Sequence, residues 1–311
     1  MIMEKCLVTR IVRDSILDGP GCRYVIFVKG CNLRCPWCHN PETQKLCQEI
    51  LLYDKFCIHC NECIKVVSKD QNEFSKIKTS CKIPLKIKTN VADVRYHKAV
   101  ELCPTEAISF AAKELSTDWL IKDILNFKTV YKETDGGVTI SGGEPLLVEK
   151  FSYDMFKKAK GKNLNTAIDT SGTLPWKILK YMADVVDLWL YDLKHYDDKT
   201  LKTELAVSNF NKLCRMGARI RIRIPVIPGY NDKVKTIKNI ASIIEINKES
   251  IEGVDLLPFH PFADAKYEAL KETYKFKDIP ELDGNKLIVY KKLFSFLPEE
   301  KVIIGRKLVH G

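Results

Sequence analysis

The stretch YVIFVKGCNLRCPWC, residues 24–38, decides the architecture, because it joins a strand to a cysteine loop. Its first part, 24–29, is a short apolar run closed by Gly30, the pattern of a buried strand. Its second part sets Cys31, Cys35 and Cys38 on the loop that follows. Apolar, β-branched runs recur downstream at 138–140, 165–169, 185–193, 219–226 and 254–259, making six strand candidates. Helical spacing fills most of the gaps. Residues 119–131 carry apolar side chains at 120, 121, 124, 125 and 130, and residues 234–246 carry them at 237, 240, 243 and 244. Ser116 or Thr117 suits the N-cap of the first helix, and Pro175 the first turn of another. Alternating strand and helix units predict a parallel sheet with helices outside it. Six strands are too few for a closed eight-stranded barrel, so the expected fold is α/β, an open (β/α)6 partial barrel over residues 1–45 and 113–311.

Residues 46–112 interrupt that alternation. They hold Cys47, Cys57, Cys60, Cys63, Cys81 and Cys103 and a lysine-rich middle over 76–88, with no long periodic helix. A structureless loop of that length is improbable inside a compact domain. A small inserted domain stapled by metal ligation resolves the conflict, since ligation replaces a core too small to form. Bacterial ferredoxin runs read C-x2-C-x2-C-x3-C-P, and the fourth cysteine of each run ligates the other cluster. Cys57, Cys60 and Cys63 fill three places of one run, whose fourth place is Val67 followed by Ser68. Cys103-Pro104 fills the fourth place of a second run, whose first three are Asp93, Tyr96 and Ala99. The four survivors make one complete set, so residues 46–112 are expected to be ferredoxin-like with one auxiliary [4Fe-4S] cluster on Cys57, Cys60, Cys63 and Cys103. Cys81 is the rival fourth ligand, and zinc the rival metal.

Eleven of the twelve cysteines precede residue 104. The opening residues lack the apolar stretch of a secretory signal, and no run approaches the roughly 18 apolar residues of a membrane helix. A cytoplasmic protein is expected, in which clustered cysteines mean metal or catalysis rather than disulfides. The net charge of +10 is spread along the chain rather than gathered in one arm, which argues against nucleic acid and membrane partners. Cys6, Cys22, Cys47 and Cys214 have no motif partners and read as ordinary reduced thiols.

Three closely spaced thiolates at the C-terminal end of a barrel strand can hold three corners of a cubane and leave one iron open to a chelating ligand. The spacing of Cys31, Cys35 and Cys38, with Trp37 before the third, resembles the signature of the radical SAM superfamily. The flanks, Asp18-Gly-Pro-Gly-Cys-Arg23 and Trp37-Cys-His-Asn-Pro-Glu42, look like those of glycyl-radical-enzyme activating enzymes, and the likeness covers nearly the whole chain. It implies that S-adenosylmethionine (SAM) chelates the open iron and is split reductively to a 5′-deoxyadenosyl radical, which takes a hydrogen from a glycine of a partner glycyl radical enzyme.

The same resemblance implies a SAM pocket of Trp37, Cys38, His39, Gly142, Gly143, Glu144, Asp169, Asp192, Leu193, Lys194, Arg223 and His260, and a monovalent cation near Asp169 and Asp192. Glycines let backbone approach a ligand, Glu144 can accept from the SAM ammonium, and Lys194 and Arg223 can meet its carboxylate or ribose. Asp18 and Arg23 are expected to border the mouth and touch the partner, with a flavodoxin or ferredoxin as electron donor. Relatives usually carry Gly after the histidine segment, whereas this chain reads His260-Pro-Phe-Ala-Asp-Ala-Lys266-Tyr267. Two rival readings remain: a radical SAM enzyme acting directly on a small molecule or peptide, and a non-catalytic electron-transfer or zinc-stapled interaction protein.

Overall fold

The computed structural model describes residues 4–67, 94–195 and 198–305. Cys81, Ser68, Asp93 and the lysine-rich middle lie outside them. The strands are β1 (Lys5–Ser15), β2 (Arg23–Val28), β3 (Ile50–Leu52), β4 (Ile108–Phe110), β5 (Lys113–Ser116), β6 (Gly137–Gly142), β7 (Asn165–Thr170), β8 (Leu188–Asp192), β9 (Ile220–Val226), β10 (Ile251–Pro258) and β11 (Val302–Ile304). Nine of them form one sheet, in the order β11-β10-β9-β8-β7-β6-β2-β1-β5. All six expected runs are strands, and from β2 and β6 through β11 each neighbouring pair is parallel. Every residue of β2 is buried, as a strand covered on both faces should be.

The sequence reading left out β1, β5 and β11. β1 pairs antiparallel with β2 and β5 pairs antiparallel with β1, so the sheet continues beyond the parallel part. β1 alternates charged and apolar side chains and is mostly half-exposed, the pattern of a strand with one wet face. β2 meets β6 only after a long excursion, Arg23 and Val138 lying 115 residues apart.

Helices Thr117–Leu125, Glu149–Lys160, Thr203–Arg215 and Val234–Glu245 bury apolar stripes against the sheet. Ser116 caps the first, accepting from the Trp119 N–H at 3.2 Å. The single helix expected over 119–131 is two, because Asn126 and Phe127 bond three residues back to Asp123 and Ile124, and Lys128–Glu133 starts afresh. Pro175 sits one place earlier than expected, at the N-cap of Trp176–Met182.

Within 46–112 the described residues form a separate two-stranded sheet, β3 with β4 antiparallel, and helices Glu62–Val67 and Val94–Glu101. Their apolar centre is small: Ile50, Leu52 and Ile108, with Cys63, Tyr96, Val100, Cys103 and Phe110 packed on it. Gln48 joins the two ends of the excursion, donating to the Ala112 carbonyl at 2.5 Å and accepting from its N–H at 3.1 Å. No described helix is long and apolar enough to cross a membrane.

Candidate active site

Because β2 and β6 to β10 are parallel neighbours, the loops leaving their C-terminal ends gather on one side of the sheet. These loops carry Cys31–Cys38, Gly142–Glu144, Ser171–Thr173, Leu193–Lys194 and Phe259–His260. The root of the cysteine loop is held by β6. Gly143 donates to the Val28 carbonyl at 2.9 Å and Glu144 to the Gly30 carbonyl at 2.7 Å. A Cβ on Gly143 would lie 2.0 Å from that Gly30 oxygen, so one reason for glycine here is the close approach of β6 to β2. Lys29, fully buried at the end of β2, donates to the Glu42 carbonyl at 2.6 Å and to Glu49 Oε2 at 2.7 Å, pinning the far side of the loop.

Glu144 is buried, and its carboxylate is used within the protein. It accepts from Thr170 Oγ1 (2.7 Å), the Ser171 N–H (3.0 Å), Ser171 Oγ (2.6 Å) and the Leu146 N–H (3.2 Å). Burial raises its pKa, and the Ser171 and Thr170 bonds offset part of that rise. The residue clasps the end of β6 to the end of β7. Asn32 donates to Thr173 on the same turn, and Asn209 ties that turn from behind through the carbonyls of Gly172 and Leu174. Neither asparagine was expected from sequence. Asn32 stands inside the cysteine spacing, but its partner lies 141 residues away.

Asp169, Asp192, Lys194 and Arg223 form one largely but not fully buried charge group. Arg223 Nη1 donates to Asp169 Oδ2 at 2.9 Å and lies 3.6 Å from Asp18 Oδ1, while Lys194 pairs with Asp192. Burial works against both cations. For Lys194 the charges of Asp192, Cys35 and Asp169 outweigh it, and for Arg223 those of Asp169, Asp18 and Asp192 do so, leaving both pKa values raised. Burial also raises the Asp169 pKa, against the pull of Arg223. Asn231, another residue not expected, is buried and fixes the Lys194 and Pro225 carbonyls at 2.7 Å each.

Trp37 is buried against Tyr230, with ring centroids 4.3 Å apart, in an aromatic group with Phe259, Tyr267, Tyr274 and Phe276 that also packs Cys35. The rings of His39 and His260 lie 4.1 Å apart, and burial lowers His39 to about 4, with His260 adding to the effect. Leu193 is buried, its N–H bonded to the Arg223 carbonyl.

Asp18 reaches this group from below, since the Asp18 carbonyl accepts from Thr139 in β6 and its carboxylate approaches Arg223. Arg23, grouped with it as a partner contact, requires correction. Its side chain has no exposed surface, and its guanidinium bonds Thr139, Asn165 and the carbonyls of Pro20 and Val138 at the N-terminal ends of the strands. A buried guanidinium needs all those acceptors, so Arg23 staples strand ends rather than facing a partner.

Among the described residues no three His, Cys, Asp or Glu side chains converge on a single metal ion. The fit of a cluster therefore rests on the donor set and its surroundings. Burial raises Cys31 to about 11 and Cys35 to about 12, and raises Cys38 as well, while the Lys194 charge opposes the rise at all three. Such thiols strongly favour the neutral form until cationic iron takes the thiolate. In the second group, burial raises Cys63, and the charges of Cys103, Cys57 and Cys60 raise it further. Cys103 goes the other way: burial is outweighed by hydrogen bonds from the Ile108, Thr105 and Ala107 backbone and the Thr105 hydroxyl. His59 and Asn61 flank Cys60 in left-handed backbone, which turns the chain sharply on either side of that thiol. Both sets suit a thiolate-held cluster. The surroundings of the first also suit a polar ligand. Asp169 Oδ1, Arg223 Nε, His39 Nε2 and Tyr274 Oη are buried there without a hydrogen-bond partner among the described residues.

Comparison with known proteins accords with this geometry. The family model for a 4Fe-4S single cluster domain matches residues 17–200. The benzylsuccinate synthase activating enzyme of Thauera aromatica is 35% identical over 296 residues, covering 92% of this chain and 88% of that protein. The trans-4-hydroxy-L-proline dehydratase activating enzyme of Clostridioides difficile is 32% identical over 297 residues, covering 93% and 96%. The (2S)-3-sulfopropanediol dehydratase activating enzyme of Klebsiella oxytoca is 33% identical over 287 residues, covering 88% of each. A cysteine loop rooted between β2 and β6, beside buried polar groups, thus occurs in a chain that belongs to the glycyl-radical-enzyme activating enzymes of the radical SAM superfamily.

Proposed function

We propose that Cys31, Cys35 and Cys38 hold the SAM-binding [4Fe-4S] cluster at the open end of a partial (β/α)6 barrel, and that the protein activates one glycyl radical enzyme. When bound, the reduced cluster would supply the one electron that splits SAM into methionine and a 5′-deoxyadenosyl radical, and that radical would take a hydrogen atom from the partner's glycine to leave 5′-deoxyadenosine. The chain's own residues bind, orient and exclude water. Lys194 stands among the thiolates and Asp192, where it also meets a carboxylate of SAM. Arg223 offers its free Nε–H and Asp169 its free Oδ1, the latter to a SAM hydroxyl or, with Asp192, to a monovalent cation. Trp37, Leu193 and the aromatic group wall the site, and the His39 and His260 rings border the nucleoside. Gly142, Gly143 and Glu144 shape the floor by fixing β6 against the cysteine loop and β7. Asp18 borders the entry for the partner's glycine segment.

Residues 46–112 are proposed to form the ferredoxin-like insert, with a second cluster on Cys57, Cys60, Cys63 and Cys103. Cys60 is exposed, whereas the thiols of the first set are not, which suits an electron entry port for a flavodoxin or ferredoxin. A cytoplasmic location follows from the reduced thiols that both clusters need.

The observation that carries this reading is the collection of partnerless buried polar atoms beside the first cysteine set. Its test is anaerobic reconstitution, which should load about eight irons from two cubanes. Replacing Cys31, Cys35 and Cys38 together by Ala should leave about four and abolish 5′-deoxyadenosine release. Continued SAM cleavage by the triple variant under dithionite would overturn the assignment.

A further inference from the structure

The segment after β10 forms the short helix Asp264–Ala269. Three of its side chains point to three different neighbours. Tyr267 packs in the aromatic group with Trp37, and Ala269 packs on Leu51 of β3 and on Ala111. Lys266 reaches back 227 residues to the chain that follows Cys38. Its ammonium donates to the His39 carbonyl at 3.0 Å, to Asn40 Oδ1 at 2.8 Å and to Glu42 Oε1 at 2.9 Å. An ammonium has three donors and no acceptor, so its hydrogen bonding is saturated by this one turn.

We infer that Lys266 is a positioning residue for the SAM-binding cluster, fixing residues 39–42 and through them the direction in which Cys38 and His39 face the cluster and SAM. The inference rests on the assignment of Cys31, Cys35 and Cys38 proposed above. The helix itself is held from both sides, by Tyr267 and Ala269, so the Lys266 stem starts from a fixed place. The turn it grips keeps a partnerless atom, His39 Nε2, beside a backbone that is pinned. Glu42 Oε2 has no hydrogen-bond partner among the described residues, where Lys266 on Oε1 is the ion-pair partner of this carboxylate. Supports of this kind, one bond removed from a metal ligand, change affinity or activity by about 10- to 100-fold when lost. Arginine would not substitute, because its planar fork does not match three acceptors set around one nitrogen.

The test uses the full-length protein, reconstituted anaerobically, with Lys266→Met, Lys266→Arg, Glu42→Gln and the double variant Lys266→Met/Glu42→Gln. Lys271→Met, which removes only the exposed pair with Asp54, is the control. Iron content comes first, then the EPR spectrum of the reduced cluster titrated with SAM, then the SAM dependence of 5′-deoxyadenosine release. Lys266→Met should retain the auxiliary irons and need about tenfold more SAM, or beyond, for the half-maximal spectral change. Selective loss of the first cluster's iron would support the same role. Lys266→Arg should not restore SAM affinity, and the double variant should be less than additive, because both changes remove one contact. The inference is overturned if Lys266→Met lowers the melting temperature but leaves the SAM titration within about twofold of wild type, far below the expected effect. It is also overturned if both clusters are lost together, or if Lys271→Met behaves the same way. A wild-type protein that releases no 5′-deoxyadenosine would instead sink the proposed function itself.

Discussion

Glu144 offers a sharp separation between holding the fold and binding SAM. Its carboxylate takes two donors on each oxygen: Leu146 N and Thr170 Oγ1 on Oε1, Ser171 N and Ser171 Oγ on Oε2. In Glu144→Gln one oxygen becomes an NH2 group facing such a pair. A hydroxyl can turn away, but a backbone N–H cannot, so either orientation strands one buried amide at a cost of about 1–3 kcal/mol. The remaining bonds lose their charge assistance, while the desolvation that raises the Glu144 pKa is relieved. A net loss of about 2 kcal/mol should lower the melting temperature by about 3 °C in a chain of this length. Glu144→Ala strands all four donors and should cost more. The assay is thermal unfolding of the metal-free protein followed by circular dichroism, set beside SAM binding by the reconstituted protein. If Glu144→Gln melts within about a degree of wild type yet binds SAM poorly, the clasp is wrong and Glu144 acts on SAM directly.

Three further outcomes are expected. Cys103→Ala should lose the auxiliary cluster by iron count and EPR, and Cys81→Ala should keep it, because Cys103 already sits in a thiolate-stabilising set of N–H groups; the opposite ranking would undo the ferredoxin alignment. Asp18→Ala should weaken glycyl-radical formation on the partner far more than SAM cleavage without it, whereas Arg23→Ala should chiefly lower the melting temperature by stranding its buried acceptors; parallel losses of both activities in Asp18→Ala would make that residue structural. Burial pushes the Cys6 thiol up to about 12 from an ordinary value of 9.0, so the native state holds its proton more tightly than the unfolded chain. The resulting stability is fully present below about pH 9 and is lost as pH rises toward about 12. Cys6→Ala should flatten that alkaline limb in pH-dependent unfolding, and an unchanged limb would refute the burial argument.

The parallel strands were legible because each is an apolar run with few alternatives, and the cysteine loop because its spacing is chemically restrictive. β1 was not, since alternating charges such as those of Lys5, Arg10 and Asp14 read as surface until a neighbouring strand supplies the other face. β3, β4 and β11 are three residues each, too short for any periodicity to register. Proximity in sequence misled at Arg23: it and Asp18 share the Thr139 hydroxyl, but the Asp18 carboxylate continues toward Arg223 while the Arg23 guanidinium is buried against Asn165. The supports from Asn32, Asn209, Asn231 and Lys266 depend on contacts across 6 to 227 residues, and nothing in the local sequence marks a polar side chain as the one that will bridge such a gap.

The long excursion between β2 and β6 has a consequence for biogenesis. A ribosome releases β2 well before its parallel neighbour exists, so in the nascent chain β1 can pair with one edge of β2 while the other edge waits for β6. Loop-closure entropy grows slowly with length, about 0.6 kcal/mol for each doubling, so the wait matters more than the final balance. During that interval the unpaired edge of β2 is open to the wrong strand or the wrong chain. Loading the auxiliary thiols early would draw Ile50–Leu52 and Ile108–Phe110 together and shorten the free chain that β6 must search across. Iron supply during synthesis would then govern yield as well as activity, and refolding of metal-free chains with and without iron and sulfide should differ in aggregation before it differs in final stability.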